Sequence, residues 1–182
     1  MKNSMNLGSQ SKGCISKGSN MKDKIGLQGT YQVEHWRKGK KIATYNFNNG
    51  ITNVGKDHVL DTVFHGSAQI ATWHVGLIDN ASFSALAAAD TMASHAGWIE
   101  CVTYDEATRV EWTEGAASSQ SITNATALTF TQNATKTING IFITSDNTKS
   151  GTSGTLFSTA SFSSTVAVVD DDQLKVTYTV SA

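Results

Sequence analysis

Proline is absent from this 182-residue chain, so no strand edge can be protected by the residue that most directly blocks edge pairing. Edges must then be covered by charge, by loops or by neighbours, and the last of these predicts a homo-oligomer, with a homotrimer as the expected closed form. Cysteine is scarce: Cys14 and Cys101 are too few to frame a disulfide-stapled domain and are expected to be free thiols. Charge is scarce as well. Charged residues make up 16% of the chain and the formal net charge is −1, so no whole-protein field gathers nucleic acid or an anionic membrane. Direct nucleic-acid binding and membrane association are therefore not expected. Long apolar runs are missing: none approaches the ~20 residues of a spanning helix, and residues 1–24 lack the apolar centre of a secretory signal. Synthesis and retention in the cytoplasm follow as the expectation.

What fills the gap is Thr, Ser, Asn and Gly. β-branched Thr suits pleated strands and the other three suit turns, so the composition predicts an all-β fold, a β-sandwich or jelly-roll-like domain, with one short helix. Residues 1–26 are expected to form a flexible N-terminal arm: Lys2, Lys12, Lys17, Lys22 and Lys24 stand among Ser, Gly, Asn and Gln with only Asp23 opposing them. The sandwich is expected over 27–182. Its first two strands, 27–36 and 41–47, flank a Gly39-containing turn and read as a hairpin. Thr52 or Asn53 can cap a helix that places Val54, Val59, Leu60, Val63 and Phe64 at spacings of three to five and ends near Gly66.

Further strands are expected at 71–78, 98–104 and 109–113, the last two pairing with each other, with 81–89 a short helix or loop. Beyond them come strands at 126–131, 137–144, 155–162, 165–169 and 173–180. The final one alternates most cleanly, Leu174, Val176, Tyr178 and Val180 against Lys175, Thr177, Thr179 and Ser181.

Catalytic chemistry finds little support. His35, His58, His65, His74 and His95 lack metal-ligand spacing, and no strand–elbow–helix motif presents a nucleophile. Cys101 reads as a small buried apolar residue. Glu100, Glu106, Glu111 and Glu114, in a stretch with Trp98 and Trp112, offer carboxylates for glycoside hydrolysis or sugar binding, but such positions more often form a strand with one solvated and one packed face. Asp170, Asp171 and Asp172 lack the alternating ligands of a calcium loop and are expected to form a solvated turn. No enzyme, no metal and no cofactor are expected.

The segments Gly50-Ile51-Thr52-Asn53-Val54-Gly55, Trp73-His74-Val75-Gly76-Leu77-Ile78-Asp79 and Ala89-Asp90-Thr91-Met92-Ala93-Ser94-His95-Ala96-Gly97-Trp98 resemble a family of small structural proteins of tailed bacteriophages. The resemblance continues, in order, through Tyr104, Arg109 and Trp112, Gly140-Ile141-Phe142-Ile143 and Leu174-Lys175-Val176-Thr177-Tyr178, covering roughly residues 45–182. Where many such relatives carry proline after the arginine, this chain has Val110. The resemblance implies a virion component, either a head decoration (cement) protein contacting the major capsid protein or other virion proteins, or a tail- or neck-associated protein or glycan-binding receptor module. On that basis the five lysines of the arm become candidate capsid anchors. The stretch 90–98, small residues around one aromatic anchor, suits either a subunit contact or a loop packed on the sandwich, which makes Asp90, Met92, His95, Trp98 and Trp112 candidate interface residues.

Overall fold

The structure, a computed structural model, describes residues 26–182; Cys14 and the lysines of the arm lie outside the described residues. Strands β1 (Gln28–Arg37) and β2 (Lys40–Asn48) form the expected hairpin. Lys38 and Gly39, both at positive φ, make its two-residue turn, whose twist matches that of the strands. After the two-residue β3 (Gly50–Ile51), Thr52 caps helix α1 (Asn53–Phe64), its hydroxyl accepting from the Gly55 N–H at 3.0 Å. Gly66, at φ 74°, follows the helix end.

Strand β4 (Trp73–Asp79) leads through a long loop to β5 (Ile99–Cys101), and β6 (Val110–Trp112), β7 (Ser121–Thr123) and β8 (Leu128–Thr131) follow. The long strands β9 (Lys136–Thr144), β10 (Leu156–Val168) and β11 (Gln173–Ser181) complete the chain. Two antiparallel sheets result. One runs β2-β1-β11, with β7 and β8 sharing the far side of β11; the other runs β3-β10-β9-β4, with β5 and β6 sharing the far side of β4. Packed face to face they make the expected all-β sandwich with one short helix.

Period-two alternation builds the central core. Tyr31 and Val33 of β1 and Leu174, Val176 and Tyr178 of β11 face Val75, Leu77, Ile141, Ile143, Val166 and Val168 of the other sheet, all buried. Tyr31 stacks on Tyr178 at 4.4 Å between ring centroids, and Cys101 lies in the same core as a free thiol. A second, smaller core forms on the outer face of the β10-β9-β4 sheet. There Ile78, Phe142 and Leu156 are covered by Met92 and Trp98 of the long loop, with Val54, Phe83 and Leu86 packed around them. Gly76 lets the Phe142 ring cross β4, since a Cβ at that position would collide with the ring.

Three expectations need correction. The 109–113 strand does not pair with 98–104: β6 lies against Trp73–Val75 and β5 against Leu77–Asp79, end to end along β4, whose seven residues are long enough for both. The separate strands at 155–162 and 165–169 are one strand, β10, because the polar residues Ser163, Ser164 and Thr165 stay extended and exposed across a register shift instead of turning. Asp172 is not part of a solvated turn. Asp170 and Asp171 are exposed, but the Asp172 carboxylate is buried as the anchor of that turn, accepting from the Val169 N–H at 2.9 Å.

Candidate functional site

Two kinds of feature stand out above the framework: buried charged groups, and an apolar recess beside α1. Among the charged groups Arg109 is almost wholly enclosed. Its guanidinium donates through Nε and Nη2 to the two carboxylate oxygens of Glu100 at 2.9 and 2.8 Å, and through Nη1 and Nη2 to the carbonyls of Asp146 and Gly151 at 2.9 and 3.0 Å. Glu100 also accepts from the Ser150 N–H at 2.8 Å. One buried ion pair thus ties the 145–154 loop to the sheet edge. The Asp146 carboxyl, held by hydrogen bonds from the Ser153 hydroxyl and the Thr148 N–H, is lowered to about 2.

Asp172 is the second such node. It accepts from Arg37 Nε and Nη2 at 2.7 and 2.6 Å and engages His35 Nε2 at 2.8 Å. Burial alone would raise its carboxyl, but the hydrogen bonds from Arg37, Val169 and His35 outweigh burial and hold it far below the usual carboxylate range. A third pair, Lys136 with Asp79 at 2.8 Å, closes the end of β4 onto β9. All three join segments distant in sequence.

The candidate carboxylates have separate uses. Glu100 is committed to Arg109, Glu106 accepts from the Thr131 N–H, Glu111 is exposed on β6, and Glu114 lines the recess described below. The histidines are likewise dispersed. His35 joins Asp172, His58 lies edge-on to Trp73, His65 pairs with Asp61 at 3.5 Å, and His74 is buried, with desolvation lowering its pKa. Among the described residues, no three His, Cys, Asp or Glu side chains come together as a metal site. No helix of the described residues is long and apolar enough to cross a membrane.

Of the candidate interface residues, Asp90, Met92, His95 and Trp98 are brought together, but around the chain's own second core. The Trp98 indole N–H donates to Asp90 Oδ2 at 3.0 Å, the same oxygen accepts from the Ala87 N–H, and His95 stacks on Trp98 at 3.8 Å. Asp90, Met92 and Trp98 are buried there, so what the loop shows to solvent is its small residues, such as Ala85, Ala89, Ala93 and Ala96. Trp112 lies apart from them, in the central core against Tyr178.

The recess was not legible in the sequence. It is a cavity of about 300 Å³ at one end of the sandwich, walled by Val59 and Val63 of α1, by Trp73, Phe157 and Val180 of the strands and by Leu27. Beside it, the face of α1 that sequence spacing marks as apolar is largely uncovered: Leu60, Val63 and Phe64 are 55%, 64% and 80% exposed. The helix meets the sheet through Val54, packed on the second core, and through Gly55, which sits against the Phe157 backbone with no room for a Cβ.

No protein-family model matches the chain, and no curated protein matches it either.

Proposed function

We propose that this protein is a structural component of a tailed-bacteriophage virion, a decoration or cement protein that binds and stabilises the head shell with the major capsid protein as its partner. The observation that carries the proposal is where the segments that resemble phage structural proteins fall. Gly50–Gly55 supplies β3 and the cap of α1, Trp73–Asp79 is β4, and Ala89–Trp98 is the loop over the outer sheet face. They are separate in sequence yet meet in the second core, where Val54 of the first, Ile78 of the second and Met92 and Trp98 of the third pack together with Phe142. A resemblance spread over mutually packed segments supports a shared fold more strongly than isolated matches would.

The use of charge supports the same function. Arg109 and Asp172 fix loops to sheets and Asp79 ties β4 to β9, as suits a protein whose work is to resist deformation. Binding to neighbours in a shell stabilises both by linkage and requires no chemical step. In this proposal the chain is a homotrimer without catalytic activity, and the lysines of its first 24 residues add charge contacts to the shell. The test is to add purified protein to heads of the encoding phage that lack it. Co-sedimentation together with a higher temperature of DNA release supports the proposal. Heads that neither bind the protein nor gain stability would refute it.

A further inference from the structure

The 145–154 loop closes over a histidine that no bond so far described accounts for. His74 sits on β4 between Glu111 of β6 and Thr144 of β9, and with Thr72 it lines a polar hollow whose other wall belongs to the loop, Ser145, Asp146, Thr148 and Gly154 among it. The residue is only 8% exposed, and Nδ1 of its ring is buried with no hydrogen-bond partner among the described residues. A neutral ring tolerates this as a bare lone pair. An imidazolium, in which both nitrogens are donors, would bury a charged N–H without an acceptor. The charged groups that face His74 are Glu111 from β6 and Asp146 from the loop, which favour the imidazolium, and Arg109, which opposes it. Glu111 is exposed, and the Asp146 carboxylate is already engaged within the loop, Oδ1 accepting from the Thr148 N–H at 2.6 Å and Oδ2 from the Ser153 hydroxyl. Burial outweighs both carboxylates and lowers the imidazole below its ordinary value.

We infer that the 145–154 loop is an acid-released latch, lifted from the sheet when His74 takes up a proton and demands an acceptor that the closed loop does not supply. The imidazolium is satisfied when Asp146 gives up Thr148 and Ser153 to reach it, or when the loop parts and admits water, and either route breaks the contacts that shape the loop. With the loop open His74 returns to its ordinary value near ~6.5, so the open form binds the proton more readily than the closed one. The closed form therefore holds its full advantage above that value and loses it as pH falls below. Asp172 loses its contribution only below about pH 4, so the two acid effects fall in separate windows. The latch does not depend on the protein's place in a virion.

The experiment is amide hydrogen exchange on the full chain at about pH 7.5 and about pH 5.5, corrected for the intrinsic pH dependence of exchange. The amides to follow are those of Thr148, Ser150 and Thr155, bonded to Asp146, Glu100 and Ser145. The control is the Tyr178 N–H, bonded to Asn124 in the core of the other sheet. Opening of the loop should rise by about threefold to tenfold at the lower pH, tenfold being roughly the ceiling for one ionisation a single pH unit below its ordinary value. Tyr178 should not change, which separates release of the loop from unfolding of the domain. His74→Gln and His74→Phe should each abolish the rise. In the wild type, NMR titration of the His74 ring should give a midpoint below ~6.5, accompanied by shifts of the loop amides. Protection of the loop that is indifferent to pH, a rise that survives both substitutions, or a His74 that titrates at or above its ordinary value overturns the inference.

Discussion

Replacing Arg109 with methionine probes an ion pair that is almost wholly enclosed. The substitution removes four hydrogen bonds at once, two to Glu100 and one each to the carbonyls of Asp146 and Gly151. Glu100 keeps only the Ser150 N–H, at 2.8 Å, and becomes a nearly buried carboxylate without its countercharge. Removing one partner of a buried pair costs about 3–5 kcal/mol, mostly because the other charge is left uncompensated. For a domain of this size that corresponds to a fall in Tm of about 6–20 °C. The double variant Arg109→Met with Glu100→Leu removes the stranded charge as well, so it should be more stable than Arg109→Met alone. Calorimetry on both, with proteolysis at Lys149 reporting release of the 145–154 loop, measures the effect. A loss under about 1 kcal/mol for Arg109→Met, or strict additivity in the double variant, would show that the pair is not the staple described.

Three other outcomes are expected. Asp172 has a depressed folded pKa, so its contribution is full above the unfolded value near ~3.9 and is lost as pH falls below it toward the folded value. Asp172→Asn should therefore be less stable than wild type at pH 7 and show a flatter decline of Tm below about pH 4; parallel curves would exclude Asp172 as an acid-sensitive node. Gly76→Ala should cost about 1–3 kcal/mol by displacing the Phe142 ring and shift the fluorescence of the adjacent Trp98, whereas an unchanged spectrum and stability would place the ring elsewhere. Deleting residues 1–24 removes five lysines and should weaken attachment to heads, with raised salt weakening the full-length protein more than the truncated one. Equal attachment by both forms would remove the segment from the binding surface.

Where alternation or spacing was strong, the sequence was a faithful guide. Leu174, Val176 and Tyr178 all face the core, the Lys38-Gly39 turn closes the hairpin, and α1 begins at its Thr52 cap. Short or context-dependent features were hidden. β3 and β7 hold two and three residues, too few for periodicity, and the choice of β4 as the partner of β6 is made by the sheet as a whole. The burial of Asp172 depends on Arg37 and His35, more than a hundred positions away, so three adjacent aspartates read naturally as a wet turn. The apolar positions of α1 were found, but spacing alone cannot say which of them the chain covers itself, and here Val54 packs inward beside Gly55 while Leu60 and Phe64 remain outside.

The proposed place of the protein in a virion is tested most directly by its amount in purified particles of the phage proposed to encode it, quantified by gel densitometry against the major capsid protein. A decoration protein must be present in many copies per head and in a fixed stoichiometric ratio to the major capsid protein, and it should remain with heads separated from tails. A handful of copies fractionating with tails would move the protein to the neck or tail. Its absence from purified particles would contradict the account.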